Sequence, residues 1–220
     1  MRTVVFDLDG TLADTSQDLL AAANACFIGL GLGSPLDQAD SLTAFQGGRA
    51  MLRLGATRLG LAWDEDRVAQ EYPVLLAAYA VGIDTHTRLY PGAVAALTTL
   101  RSQGYALAIC TNKPQDLAEI LTTRLGIRGM FEALVGADTL PQRKPEPAPY
   151  LAAVQLAGGS LARSFLLGDT ETDVLTARAA GVPVALVAFG PEGPGVVRLR
   201  PDALLARFDD LPALAADLLL

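Results

Sequence analysis

The sequence predicts an α/β fold, a doubly wound parallel sheet interrupted after its first strand by an all-helical insert. Three observations predict it. Thr3–Leu8 (TVVFDL) is a short β-branched, apolar run ending at Asp-Gly-Thr, the pattern of a strand buried on both faces. Residues 14–84 then carry apolar side chains at three-to-four spacing with no strand signal between them. After Tyr90-Pro91-Gly92, short apolar runs and helical patterns alternate, which implies parallel strands with helices packed on both faces.

Within the insert, the helical patterns are Asp18–Ile28, Arg49–Gly60 and Asp64–Tyr79, separated by Gly- and Pro-containing turns. Downstream, Ala93–Gln103 reads as helix and Tyr105–Cys110 as strand. Gln115–Leu125 is helix ended by Gly126, Ala133–Val135 strand, and Ala148–Ala157 helix. Ser164–Leu167 is strand, Thr172–Ala180 helix stopped by Gly181, and Val184–Val187 strand. The expected organisation is a catalytic core of residues 1–13 and 85–220 with a helical domain at 14–84.

Composition narrows the partners. The net charge is −7 and no basic run occurs, which argues against nucleic acid or an anionic membrane surface. Ala203–Leu220 is leucine-rich but carries Arg207, Asp209, Asp210 and Asp217, so no apolar run reaches membrane-spanning length. Cys26 and Cys110 form neither a disulfide framework nor a zinc pattern. A soluble cytoplasmic monomer or homodimer is the expectation. Of 17 cationic residues only Lys113 and Lys144 are lysines, which marks both for tasks that need a compact point charge.

In a sheet of this kind ligands bind beyond the carboxyl ends of the strands, so those loops hold the candidate chemistry. They read Asp7-Leu8-Asp9-Gly10-Thr11, Thr111-Asn112-Lys113, Arg143-Lys144-Pro145, and Gly168-Asp169-Thr170 with Asp173 one helical turn on. Converging carboxylates need a cation, and oxygen ligands favour Mg²⁺. If Leu8 points into the core, Asp7 and Asp9 face one cleft, where one attacks phosphorus and the other handles the leaving-group proton. Gly10 permits the tight turn. Thr111 and Asn112 offer donors to phosphate oxygens, and Lys144 offers a positive charge to the phosphoryl group and the nucleophile. Asp173 would hold a metal-bound water or Lys144. Each motif alone has an ordinary alternative, such as a solvated turn or a helix cap. Their joint position at one sheet edge is the argument.

With those residues in place, the sequence resembles the haloacid dehalogenase (HAD) superfamily along essentially its whole length. FDLDGTLADT, TNK, RKPEP and GDTETD are similar to its four motifs in order. The resemblance implies a Rossmann-like core with an inserted helical cap of the C1 type. It also implies Asp7 as nucleophile, Asp9 as general acid/base, Thr111 on the phosphate and Lys144 as the stabilising cation. Mg²⁺ would be held by Asp7, the Asp9 backbone carbonyl and Asp169. Asp9 separates the chain from true dehalogenases, and the absence of lysine from residues 14–90 separates it from phosphonate-cleaving relatives. DGTLADTSQDL, YPGAVAALTTLRSQGYALAICTNKP and GDTETDVLTARAAGVP look like the phosphoglycolate phosphatases. The expected reaction is Mg²⁺-dependent hydrolysis of a small phosphate ester, 2-phosphoglycolate first. A β-phosphoglucomutase-like mutase, another small-molecule phosphatase or pyrophosphatase, and a catalytically silent phospholigand binder remain alternatives.

Specificity is expected from the cap. Gln46-Gly47-Gly48-Arg49 precedes a helix, and Arg49, on one face with Arg53, could pair with a substrate carboxylate. His86 reads as a hinge or surface residue. Trp63, Tyr72 and Tyr79 read as packing between cap helices. Gly82 and Pro91-Gly92 are candidate hinge positions.

Overall fold

The computed structural model describes residues 1–219 and divides into two compact units. One comprises Met1–Asp14 with the described part of Leu89–Leu220, and the other Thr15–Arg88. The chain enters through strand β1 (Thr3–Phe6), in which every residue is buried.

The helical unit follows. It contains α1 (Ser16–Gly29), α2 (Ser41–Ala44), α3 (Gly48–Arg58) and α4 (Glu65–Val81). Helix α4 starts where the sequence supplies a cap: the Asp64 carboxylate accepts the Arg67 N–H at 2.8 Å, and Glu65 and Asp66 fill the first turn. Met51, Leu52, Leu75 and Tyr79 are buried between the helices, and Trp63 stacks on Phe27 at 5.1 Å between centroids. The buried Asp18 carboxylate accepts the N–H groups of His86 and Thr87 and the Thr87 hydroxyl at 2.8–3.0 Å. It thereby fastens the start of this unit to its end. His86 contributes to this fastening through its backbone.

Gly55, inside α3, is a packing requirement. A Cβ there would lie 2.5 Å from the Phe27 ring and 3.1 Å from Pro35. Helix propensity favours alanine over glycine by about 1 kcal/mol, whereas overpacking a core costs about 1–3 kcal/mol. Gly55→Ala is therefore expected to lower stability despite its better propensity, measured by urea unfolding.

The second unit continues with α5 (Ala93–Ser102), β2 (Ala106–Cys110), α6 (Gln115–Arg124), β3 (Ala133–Val135) and α7 (Ala148–Leu156). It closes with β4 (Ser164–Gly168), α8 (Glu171–Ala180), β5 (Val184–Val187), β6 (Ala203–Leu205) and α9 (Leu211–Leu218). Among the described residues these six strands form one parallel sheet, in the order β3-β2-β1-β4-β5-β6, and two two-residue strands lie outside it. Strand order reverses between β1 and β4, the switch point at which such sheets open a crevice. Asp7 follows β1 and Asp169 follows β4, so the topology puts these two carboxylates side by side there.

Helices and strands fall within about two residues of the sequence expectation, the ordinary boundary uncertainty. Three of the numbered elements were not anticipated: the one-turn helix α2, and β6 and α9 in the tail. Ala203–Leu205 is three residues at the sheet edge with Leu204 exposed, too short and too one-sided to carry a strand period. Among the described residues, no helix is long and apolar enough to cross a membrane.

Candidate active site

The site is built from the loops leaving β1, β2 and β4 and the turn before α7. After β1 the ladder runs one residue further, with the Asp7 N–H on Leu167 O at 2.8 Å. Leu8 turns fully into the core, as the reading of Asp7 and Asp9 required. The chain then reverses: Gly10 N–H bonds Ala13 O at 2.9 Å, and Leu12 N–H bonds Leu8 O at 3.0 Å. Gly10 has φ of +82°, and a Cβ there would sit 2.3 Å from Asp169 Oδ2. Both the left-handed backbone and the approach of the Asp169 carboxylate demand glycine.

Asp7 Oδ1 accepts the Leu8 N–H at 2.8 Å and lies 3.1 Å from Lys144 Nζ. Lys144 also reaches Asp173 Oδ1 at 2.7 Å. Asp173 Oδ2 accepts the N–H groups of Asp169 and Thr170 and the Thr170 hydroxyl, closing the first turn of α8 as a capping box. With both oxygens engaged, Asp173 fixes Lys144 and the Asp169 backbone. Gly168 gives it room, since a Cβ there would lie 2.3 Å from the Asp173 carboxyl carbon. Asp169 Oδ1 accepts the hydroxyl of fully buried Thr11 at 2.8 Å.

Thr111 is buried, and its Oγ1 accepts the Lys113 N–H at 3.2 Å, leaving the hydroxyl proton for another acceptor. Asn112 is exposed and donates its amide to Lys144 O at 3.0 Å, which ties the β2 loop to the lysine turn. Lys113 is buried, and its Nζ meets both Asp9 oxygens, at 2.8 and 2.9 Å. The structure thus brings together Asp7, Asp9, Gly10, Thr111, Asn112, Lys144, Asp169 and Asp173. Arg49 belongs to the helical unit, its guanidinium 4.7 Å from the Tyr72 ring centroid at the start of α3. Arg53 on the same helix is taken by Glu65 through two bonds of 2.7 and 2.6 Å.

Three contributors were not assigned from the sequence. Thr11 was legible as part of Asp-Gly-Thr, but nothing in the spacing said that it would bond Asp169. The Lys113–Asp9 pair joins residues 104 apart in the chain. The loop after β5 also reaches the site, since a Cβ on Gly190 would lie 2.8 Å from Gly10 O and 3.5 Å from Asp169 Cβ.

Burial dominates the electrostatics. It pushes the Asp7 carboxyl up to about 6, with Lys144 pulling the other way and Asp173 and Asp9 adding to the rise. Burial, then Asp173 and Asp7, push Asp169 well above the usual range against the Thr11 hydrogen bond. Burial alone would lower the Lys144 ammonium, but the Asp173 and Asp7 carboxylates outweigh it and keep the lysine charged. Carboxylate oxygens of Asp7, Asp169 and Asp173 lie within 4.8 Å of one another. Counting Asp9, four carboxylates face the ammonium groups of Lys113 and Lys144. Such crowding of carboxyl oxygens is relieved by a cation, and an all-oxygen donor set suits Mg²⁺.

The haloacid dehalogenase-like hydrolase family matches residues 4–187. A phosphoglycolate phosphatase of Mesorhizobium japonicum is 35% identical over 217 residues, covering 99% of this chain and 96% of the relative. A plasmid-borne phosphoglycolate phosphatase of Cupriavidus necator is 41% identical over 217 residues, covering 96% of this chain and 91% of the relative. Among solved structures, a predicted phosphoglycolate phosphatase from Haemophilus somnus superposes with a TM-score of 0.85 at 25% identity, over 97% of both chains. A hydrolase from Pseudomonas syringae shares the fold with a TM-score of 0.78 at 22% identity, over 100% of both chains. The chain belongs to the haloacid dehalogenase-like hydrolase family and is a phosphatase of its phosphoglycolate phosphatase-like group.

Proposed function

We propose that this chain hydrolyses a small phosphate monoester through an aspartyl phosphate on Asp7, with Mg²⁺ as cofactor and 2-phosphoglycolate as substrate. The observation that carries the reading is the switch-point pairing of Asp7 and Asp169, with Lys144 3.1 Å from Asp7. Asp7, Asp169 and the backbone carbonyl of Asp9 would hold the cation. When bound, it would supply positive charge against the oxygens of the transferring phosphoryl group.

The protein's own groups divide the remaining work. Leu8 N–H and Lys144 fix Asp7 Oδ1, which turns Oδ2 into the attacking oxygen. The Oδ2–P bond forms as the bond from phosphorus to the alcohol oxygen breaks, and Asp9 gives its proton to that oxygen. Water then attacks phosphorus, Asp9 takes the proton back from it, and the P–Oδ2 bond breaks to release phosphate and regenerate the Asp7 carboxylate. The Thr111 hydroxyl and the Lys144 ammonium oppose the negative charge of the phosphoryl oxygens throughout.

The protein with Mg²⁺ should release phosphate from 2-phosphoglycolate in a panel that also holds hexose 1-phosphates and p-nitrophenyl phosphate. Conversion of a hexose 1-phosphate to the 6-phosphate without release would assign a mutase instead. Silence on the whole panel, indifferent to Asp7→Asn, would leave a phospholigand binder.

We assign Arg49 to the carboxylate of the substrate. A charge-assisted, two-pronged contact is worth about 1.5–3 kcal/mol, or roughly 10- to 100-fold. Arg49→Ala should raise KM for 2-phosphoglycolate by about that factor and leave kcat/KM for p-nitrophenyl phosphate within about threefold. Equal losses on both esters would remove Arg49 from substrate recognition.

A further inference from the structure

We infer that Lys113 is a positioning residue for proton transfer: it sets the orientation in which Asp9 meets the leaving-group oxygen. The inference rests on the phosphatase reading above and adds a residue to it.

Asp9 is an acid of the site that keeps some exposure. Its side chain is 18% exposed, whereas that of Asp173 is fully buried. It stands between the Leu8 turn and the left-handed Gly10, where a side chain swings about two bonds. Both of its oxygens are met by one ammonium, at 2.8 and 2.9 Å. A two-oxygen contact defines the plane and direction of a carboxylate, which a single hydrogen bond does not.

Lys113 is itself built to be rigid. Its side chain is 3% exposed, so the usual freedom of a four-carbon stem is gone. Its N–H is on Thr111 Oγ1 at 3.2 Å, and its carbonyl accepts the Ala137 N–H at 2.9 Å. The loop carrying Ala137 is pinned in turn. Gly136 N–H reaches Gln115 Oε1 at 2.7 Å and Thr139 Oγ1 at 2.9 Å, and the Gln115 N–H reaches Asp138 Oδ1 at 2.7 Å. A Cβ on Gly136 would lie 2.5 Å from Gln115 Cα and 3.0 Å from Lys113 O. The β3 loop is thus pressed on the segment that aims the lysine. The chain uses two lysines against a background of arginine, and both point at acids of this one site.

The consequence depends on the leaving group. Phenolate is a poor leaving group and needs a proton as it departs, whereas 2,4-dinitrophenolate departs without one. Wild type, Lys113→Met, Lys113→Gln, Asp9→Asn and Asp9→Asn/Lys113→Met are therefore compared on phenyl phosphate and 2,4-dinitrophenyl phosphate with Mg²⁺. General acid catalysis is worth about 10²–10⁴-fold, so Lys113→Met and Lys113→Gln should lose about 10²-fold on phenyl phosphate and less than about tenfold on 2,4-dinitrophenyl phosphate. In the Asp9→Asn background, removing Lys113 should bring no further loss on either ester, because the lysine acts through Asp9. The double variant leaves neither charge unpartnered, so it reads the same coupling if a single variant folds poorly. Equal losses on the two esters, or losses that multiply with Asp9→Asn, overturn the inference while the phosphatase reading stands. A wild type inactive on both esters and on 2-phosphoglycolate overturns the two together.

Discussion

Asp7→Asn is expected to lower phosphate release by roughly 10⁴-fold or more, with no loss of folded protein. The substitution isolates chemistry from structure. An asparagine Oδ1 can accept the same Leu8 N–H and face the same Lys144 ammonium as the carboxylate does at 2.8 and 3.1 Å. What it lacks is a second oxygen able to attack phosphorus. Lys144 keeps Asp173 at 2.7 Å, so the buried ammonium is not orphaned. Burial already disfavours the Asp7 charge, pushing its carboxyl up to about 6, so a neutral side chain is tolerated there. Residual activity within about tenfold of wild type would mean that Asp7 only positions substrate or metal, since truncating such contacts costs about that much. Rapid-quench trapping of phosphoenzyme gives an independent check, with label retained on the wild type and absent from the variant.

The sheet, its helices and most of the site were legible in the sequence because each depends on local pattern. TVVF and ALAIC are short apolar runs ended by loop residues, the pattern of strands buried on both faces, and each is buried throughout. Asp7 and Asp169 each directly follow a strand, so a parallel sheet had to bring them to one edge. The position of Asp173 one turn after Asp169 foretold a shared face, and its carboxylate does bond Lys144. What escaped notice depends on pairings between distant segments. Lys113 could be singled out for its rarity, but only the folded chain shows that its ammonium meets Asp9, 104 residues away. Thr11 and Gly190 are similar: their roles are distances to Asp169 and Gly10, and no spacing along the chain encodes them. The tail was missed for a different reason. Strand β6 has only three residues and takes its identity from pairing with β5.

Asp169→Asn is expected to have opposite effects on stability and on activity, and the sign follows from charge crowding. In metal-free protein the Asp169 carboxylate is buried beside Asp7 and Asp173, and its charged form is disfavoured by burial and by both neighbours. The amide can still accept the Thr11 hydroxyl, which meets Oδ1 at 2.8 Å, so the main hydrogen bond survives while the repulsion goes. In EDTA at pH 8 the variant should melt about 2–4 °C above wild type, the shift that about 1 kcal/mol gives in a protein of this size. The pH dependence has a definite direction. A carboxyl with a raised folded pKa stabilises below its unfolded value of about 4 and loses that contribution as pH rises through its folded value. Asp7, at about 6 in the fold, therefore makes metal-free wild type less stable between pH 4 and pH 7, as does Asp169 in the same direction. Asp169→Asn removes one of these contributions and flattens the curve. Mg²⁺ reverses the ranking: it should raise the wild-type Tm at pH 8, as any ligand of the folded state does, and leave the variant unmoved. Phosphate release by the variant should fall by roughly 10²-fold or more, the scale of losing charge stabilisation in the transition state. A variant that melts below wild type in EDTA at pH 8 would show that Asp169 is held by attraction. One that still gains stability from Mg²⁺ would place the cation elsewhere. The crowding that weakens the metal-free fold is, on this reading, the same arrangement that receives the cation, so stability without metal and activity with it should trade against each other at this one residue.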